Sequence, residues 1–252
     1  MKQVILKTEK LCKTFSNGGL QQHVLKNLDL EIYTGDYTVI MGSSGAGKST
    51  LLYALSGMDK PTIGNVIFAG EDISKYSNNQ LAIFRRKHCG FVFQQIYLLD
   101  SMSILDNVLA SGLLISKDRK EIASKAKSLF TQVGLGETQY QKFPSQLSGG
   151  EMQRAGVVRA LINNPEMVFV DEPTGQLNSS SSKAVLDVLS DVNNQDQSII
   201  MVTHDIQSAL RGNRILYLQD GIVHGECNLG KYQGEDSLRH EKLLSFLKEM
   251  GW

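Results

Sequence analysis

The stretch "YTVIMGSSGAGKSTLLYALSG", residues 37–57, decides the fold class of this chain. An apolar run ends at Gly42, and a run of helical composition extends from Lys48 to Gly57. Between them, "GSSGAGKS" (42–49) fits the pattern G-x-x-x-x-G-K-[ST] in the strand–loop–helix context that this pattern requires. Because glycines carry no side chains, successive N–H groups can surround phosphate oxygens, and the positive end of the helix points at the same anion. The stretch therefore predicts a nucleotide site in an α/β fold.

Two side chains of this loop have specific predicted roles. Lys48 would reach the β- and γ-phosphates, and the hydroxyl of Ser49 would ligate Mg²⁺. The candidate nucleotide-binding residues of the loop are Gly42, Ser43, Ser44, Gly45, Ala46, Gly47, Lys48, Ser49 and Thr50.

A pair of adjacent carboxylates follows a second apolar run, in "MVFVDEPTGQLN" (167–178). Asp171 and Glu172 repel each other and lose hydration at the mouth of a buried strand, so a cation is expected nearby. Mg²⁺ bound to a triphosphate supplies that cation, and we expect Asp171 to hold it directly or through water. Glu172 should point to the other side of the pleat and take a proton from the attacking water.

Two further segments fit the same chemistry. "LSGGEMQR" (147–154) places a serine and two glycines directly before a helical run, which is an anion-receiving arrangement without a lysine. "VTHD" (202–205) ends an apolar run, and His204 could hydrogen-bond a γ-phosphate from there.

The remaining patterns alternate strands with helices. The first 41 residues read as strands, 63–73 and 217–225 as hairpins, 77–158 as largely helical, and 197–205 as a buried strand. The segment "SSSS" (179–182) is typical of a helix start, and a C-terminal helix carries Leu243, Phe246, Leu247 and Met250 at amphipathic spacing. We expect that helix to dock on its own domain.

Composition excludes several classes of protein. Lys plus Arg equals Asp plus Glu at 26 each, which gives no electrostatic reason to propose a nucleic-acid partner, and "FRRKH" (84–88) is typical of a solvated helix face. Cys12, Cys89 and Cys227 are scattered, so neither a disulfide framework nor a zinc site is indicated. No apolar run suits a signal peptide or a membrane span. We expect a protein that is made in the cytosol and stays there.

The ordered set "GSSGAGKST", "VFQQ", "LSGGEMQR", "VFVDEPTG" and "VTHD" resembles the ATP-binding-cassette (ABC) ATPases over about residues 4–225. The resemblance implies ATP and Mg²⁺ as cofactors, a P-loop NTPase core with a mixed sheet, an N-terminal antiparallel β subdomain and an inserted α-helical subdomain. The implied ATPase domain covers 1–225, with the helical subdomain at about 95–158 and a tail with an amphipathic helix at 226–252.

The same resemblance implies further site residues. Phe15 would stack on adenine, and Gln94 would sense Mg²⁺ and the attacking water. Ser148, Gly149 and Gly150 would contact the γ-phosphate of a second subunit's ATP, which implies a head-to-tail homodimer. The implied catalytic residues are Glu172, His204, Gln94 and Lys48, and the implied metal ligands are Ser49, Gln94 and Asp171.

One residue departs from the family pattern. Asn178 stands where these ATPases usually have an aspartate, so the size is kept and the charge is lost. If that charge tunes geometry across the dimer, turnover would be slower or less cooperative.

Within the family, "IMGSSGAGKSTLLYALSGMDKPTIG" and "GFVFQQIYLLDSMSILDNV" look like the branch of lipoprotein-release, macrolide-export and antimicrobial-peptide-resistance ATPases. These serve a separate membrane permease from the cytoplasmic face of the membrane. The segment "IYLLD" (96–100) either offers apolar side chains to that permease or belongs to the core. A regulatory role, as in cell division or in reporting drug flux to a sensor kinase, is the alternative. ATPases of translation or repair carry two cassettes or a long coiled coil, which this chain lacks.

Overall fold

The computed structural model describes residues 2–234 and 236–252, with only the backbone at residue 17, and the chain divides into two units. The first unit comprises Met1–Leu81 and Asp196–Trp252, and the second comprises Ala82–Gln195. The strands are β1 (Val4–Asn17), β2 (Leu20–Tyr33), β3 (Tyr37–Met41), β4 (Ile63–Phe68), β5 (Glu71–Asp72), β6 (Cys89–Val92), β7 (Met167–Asp171), β8 (Ser198–Val202), β9 (Arg214–Gln219) and β10 (Ile222–Asn228). The helices are α1 (Lys48–Leu55), α2 (Asn78–His88), α3 (Ile104–Gly112), α4 (Arg119–Gln132), α5 (Glu137–Tyr140), α6 (Gly149–Leu161), α7 (Ser179–Asn194), α8 (Ile206–Ala209) and α9 (Ser237–Glu249).

An antiparallel sheet in the order β2-β1-β4-β5 forms part of the first unit. Leu28, Leu30 and Ile32 are buried on β2, as their alternation with charged neighbours predicts. The pairing of β4 with β5 confirms the predicted hairpin at 63–73. The N-terminal antiparallel β subdomain is therefore confirmed.

A mixed sheet forms the other layer of strands in this unit. β3 lies between β8 and β9 and is parallel to both, whereas β9 and β10 are antiparallel. Every residue of β3 and β8 is buried, which is typical of parallel strands covered on both faces. The turn between β9 and β10 has positive φ at Asp220 (50°) and Gly221 (78°), as the favoured two-residue hairpin turn requires.

The C-terminal helix α9 packs on its own unit, as expected. Leu243, Phe246 and Leu247 are buried, and a Cβ added at Gly225 on β10 would lie 2.6 Å from the sulfur of Met250. Among the described helices, none is both long enough and apolar enough to cross a membrane.

The second unit combines helices with one parallel strand pair, β6 and β7. Helix α4 buries Ile122, Ala126 and Phe130 at four-residue spacing, which places all three on one face of the helix. The prediction of a largely helical stretch at 77–158 was wrong at 89–92, where β6 lies. Four residues between helical patterns show no usable periodicity, and β7, which pairs with them, is remote in sequence.

Candidate functional site

The phosphate loop of the first unit, residues 42–47, connects β3 to α1. A Cβ added at Gly42 would lie 2.1 Å from the carbonyl oxygen of Leu218, so only glycine fits. Gly47, with φ at 100°, is the N-cap of α1, and a Cβ there would lie 3.1 Å from Val24. Both ends of the loop therefore need glycine, for close approach at one end and for a left-handed backbone at the other.

Lys48 holds this loop from inside. Its Nζ donates to the carbonyl oxygens of Gly42 at 2.8 Å and Ser43 at 2.9 Å, and its side chain is buried. Ser43, Ser44 and Gly45 are exposed at the rim of the loop. An exposed glycine-rich rim with an ammonium group behind it fits the phosphates of a nucleotide.

His204 lies at the same edge of the sheet as the phosphate loop. Ile40 on β3 is paired in register with Val202 on the parallel strand β8. Gly42 and His204 each follow two residues later, so the structure brings them to neighbouring positions beyond the strand ends. The imidazole of His204 is exposed there.

Phe15 lies at the end of the antiparallel sheet that contacts the phosphate loop. It pairs with Gln22 on β2, and Val24 on the same strand touches Gly47. Its side chain is 44% exposed, so part of the ring is accessible to a ligand.

In the second unit, the two carboxylates occupy a strained turn. Asp171 is the buried last residue of β7, and Glu172 follows with φ at 42°, in the left-handed region. The expectation that Glu172 continues the pleat was therefore wrong, because the strand ends one residue earlier. Such a conformation costs a non-glycine residue about 1–3 kcal/mol and concentrates at functional sites.

Gln94 lies beside this turn. Val92 on β6 pairs with Val170 on the parallel strand β7. Gln94 and Glu172 each follow two residues later, at the same end of the two strands. A Cβ added at Gly175 would lie 2.8 Å from Nε2 of Gln94. Gln94 therefore lies at the same end of the β6–β7 pair as the two carboxylates.

The LSGG segment forms the beginning of α6. Ser148 is the N-cap: its Oγ accepts from the amide of Glu151 at 3.3 Å, and the Glu151 carboxylate accepts from the amide and hydroxyl of Ser148 at 2.9 and 2.8 Å. These hydrogen bonds lower the pKa of Glu151 below its usual value. A Cβ added at Gly150 would lie 2.8 Å from Cβ of Ser181, so this glycine lets α7 approach closely.

Asn178, the departure from the family pattern, is the N-cap of α7. Its Oδ1 accepts from the amide of Ser181 at 2.9 Å and from the hydroxyl of Ser180 at 3.0 Å. An aspartate would make the same bonds. The substitution therefore removes a charge and leaves the local structure unchanged.

Two α6 residues that the sequence reasoning missed hold the loop after β6. Arg159 donates to the carbonyl oxygens of Tyr97 at 2.6 Å and Ile96 at 2.7 Å, and Gln153 donates to that of Phe93 at 2.9 Å. Burial of the Arg159 guanidinium lowers its pKa. An arginine inside the apolar run "GVVRAL" was the one available signal.

Magnesium at this site would depend on the nucleotide. Within the described residues, no group of three or more His, Cys, Asp or Glu side chains could hold a metal ion. Mg²⁺ in nucleotide sites takes one or two protein oxygens together with phosphate oxygens and water. The hydroxyl of Ser49 in the first unit and the carboxylate of Asp171 in the second are each an oxygen donor of that type.

The comparisons with known proteins agree with the predicted nucleotide site. The sequence profile of the ABC transporter family matches residues 25–175. The uncharacterised ABC transporter ATP-binding protein MJ1508 of Methanocaldococcus jannaschii is 42% identical over 219 residues, which cover 87% of this chain and 97% of that protein. The dimeric cassette MJ0796, in a post-hydrolysis state with ADP and Pi, superposes at a TM-score of 0.81 with 34% identity, over 90% of this chain and 100% of that chain. Likewise cbiO1 from Clostridium perfringens, part of the ABC transporter complex cbiONQ, gives a TM-score of 0.80 with 27% identity, over 90% of this chain and 89% of that one. The chain therefore belongs to the ABC transporter family, as an ATP-binding subunit with ATPase activity.

Proposed function

We propose that this ATPase powers a separate membrane permease that exports antimicrobial peptides or other amphipathic compounds, or gives resistance to them. The sequence stretches around the phosphate loop and the segment 90–108 support this branch of the family. The subunit would work at the cytoplasmic face of the membrane as a peripheral protein.

The hydrolytic step would use both carboxylates of the strained turn. The phosphate loop and Lys48 would bind the phosphates, while Ser49, Asp171 and Gln94 would hold Mg²⁺, which would supply charge neutralisation at the phosphates. Glu172 accepts a proton from the attacking water, and His204 donates a hydrogen bond to the γ-phosphate. The left-handed backbone of Glu172 directly after the buried Asp171 is the observation that supports this assignment, because such backbone strain concentrates at functional sites.

Glu172→Gln tests the assignment of the base. Loss of a positioned base should lower ATP turnover by roughly 10²- to 10⁴-fold, whereas ADP binding should persist. Phosphate release measures turnover, and Glu121→Gln on the exposed face of α4 is the matched control. Undiminished turnover in Glu172→Gln would exclude the proposed base.

The dimer we propose is head-to-tail, with Ser148, Gly149 and Gly150 of one subunit facing the γ-phosphate bound to the other. The similar cassette MJ0796 is dimeric in its post-hydrolysis state, which supports a dimer here. The hydrogen bonds between Ser148 and Glu151 hold the beginning of α6 in place without a ligand, which supports a role toward a nucleotide on another subunit.

The loop after β6 is the surface we propose for the permease. Tyr97 and Leu99 are 64% and 57% exposed, and α6 holds the backbone beneath them through Arg159. Apolar side chains on a firmly held backbone suit a partner surface. The cbiO1 protein, which is part of a larger transporter complex, supports the existence of such a partner.

Affinity purification from the native membrane identifies the partner. A permease with about ten membrane segments and an associated sensor kinase would support peptide resistance, whereas a four-segment permease alone would favour the regulatory alternative. Tyr97→Ser with Leu99→Ser should lose the partner, and Leu238→Ser on the outer face of α9 should retain it. Retention by the loop variant would place the permease elsewhere.

A further inference from the structure

Lys13 on β1 is a nearly buried cation two residues from Phe15. Its side chain is 11% exposed, and Nζ donates to the carboxylate of Asp59 at 2.6 Å and to the carbonyl oxygen of Lys60 at 2.7 Å. The same Nζ lies 4.9 Å from the centroid of the Phe15 ring, over its face. Lysine is seldom buried unless it is paired, and here the pair with Asp59 fixes the ammonium beside the ring.

The Phe15 ring lies close to the phosphate loop along the antiparallel sheet. Phe15 pairs with Gln22, and Val24 on the same strand touches Gly47. Two or three residues of strand, on the order of 10 Å, therefore separate the ring from the loop. That span is comparable to the distance between the base and the terminal phosphate of a nucleoside diphosphate.

The partners of Lys13 connect the ring to the phosphate helix. Asp59 and Lys60 follow α1, which begins at the phosphate loop, and the amide of Thr62 donates to the carbonyl oxygen of Cys12 at 2.9 Å. Lys13 is thus fixed between the strand that carries Phe15 and the segment that follows the phosphate helix. Its ammonium covers one side of the ring, while the ring as a whole remains nearly half exposed.

We propose that Lys13 is a positioning residue for the nucleotide base, acting through Phe15 and favouring purines. The cation draws π-electron density toward one face of the ring, so the opposite face becomes a better partner for an electron-rich purine. Its bonds to Asp59 and Lys60 hold the ring at the spacing that the phosphate loop sets. The proposal rests on the proposed nucleotide-binding role of Phe15.

Calorimetric titration with ADP and with pyrophosphate separates base binding from phosphate binding. Lys13→Met should weaken ADP binding about three- to tenfold and leave pyrophosphate binding unchanged, because a partly desolvated cation–π contact is worth that much. Lys13→Arg, which keeps a cation over the ring, should restore most of the affinity. In a Phe15→Leu background, Lys13→Met should have no further effect on ADP.

Three results would overturn the proposal. Equal loss of ADP and pyrophosphate would show that Lys13 acts on the phosphate loop. Unchanged ADP affinity in Lys13→Met, or an undiminished effect in the Phe15→Leu background, would show that it does not act through the ring. If the unsubstituted chain bound pyrophosphate but gained no affinity from the base of ADP, the proposed role of Phe15 would fail first.

Discussion

The phosphate loop (42–47) and the LSGG segment (147–150) are glycine segments that each precede a helix, and the beginnings of those two helices differ. Helix α1 begins after Gly47, which has no side chain to cap it, and its first turn contains no acidic residue. Helix α6 begins after Ser148, whose capping box with Glu151 occupies the first turn with a carboxylate. The phosphate loop therefore presents an open, lysine-backed anion site, whereas the LSGG segment is complete without a ligand. The first should bind nucleotide alone, and the second should act only on a nucleotide that another subunit presents.

The largest expected effect is a loss of ATP turnover when the LSGG segment is substituted. Ser148→Arg should lower ATP turnover by roughly 10²-fold or more, since misplacing a reacting group by about an ångström costs that much, while ADP affinity stays unchanged. Phosphate release and calorimetry measure the two quantities. Ser145→Arg, three residues earlier and also exposed, is the control. An equal loss of ADP binding would show that Ser148 serves its own subunit.

The corresponding substitution in the phosphate loop should weaken nucleotide binding. Lys48→Ala removes charge-assisted hydrogen bonds to phosphate and the contacts with the Gly42 and Ser43 carbonyls. ADP affinity should fall roughly 10- to 100-fold, with Lys117→Ala, an exposed lysine, as the control. Normal ADP binding in Lys48→Ala would mean that the loop is not the nucleotide site.

The phosphate loop and the LSGG segment also show which features of the fold can be predicted from local sequence. Both were identified from glycine spacing, and the buried strands β3, β7 and β8 followed from continuous apolar runs, because these signals are local. The strand β6 and the placement of Gln94 beside Gly175 depend on pairing with β7, more than seventy residues away. The left-handed turn at Glu172 has no signature in its own residue type, so a pleat argument gave the wrong geometry there.

The capping box at Ser148 should make the stability of α6 depend on pH. The pKa of Glu151 is lowered in the folded chain, so its contribution is present above the unfolded value of about 4.5 and is lost as pH falls through the folded value. Glu151→Gln should lower the melting temperature by about 1–3 °C at pH 7, and the difference should shrink as pH falls below the unfolded pKa of about 4.5. Thermal unfolding monitored by circular dichroism over that range measures it. A difference independent of pH would show that the charge of Glu151 contributes nothing.

Asn178→Asp should have the smallest effect. It tests whether a negative charge at the N-cap of α7 affects ATP turnover by the dimer. The introduced carboxylate would keep the cap of α7 and add a negative charge at a helix N-terminus, which raises stability by about 0.3–1 kcal/mol, or roughly 1–4 °C in melting temperature. If a charge at this position tunes the dimer, as the family pattern implies, turnover should rise about two- to fivefold, the range of a single exposed ion pair. Asn178→Ser, which caps without charge, is the control. A gain in stability without any gain in turnover would confine residue 178 to capping α7, and the missing aspartate would then have no consequence for catalysis.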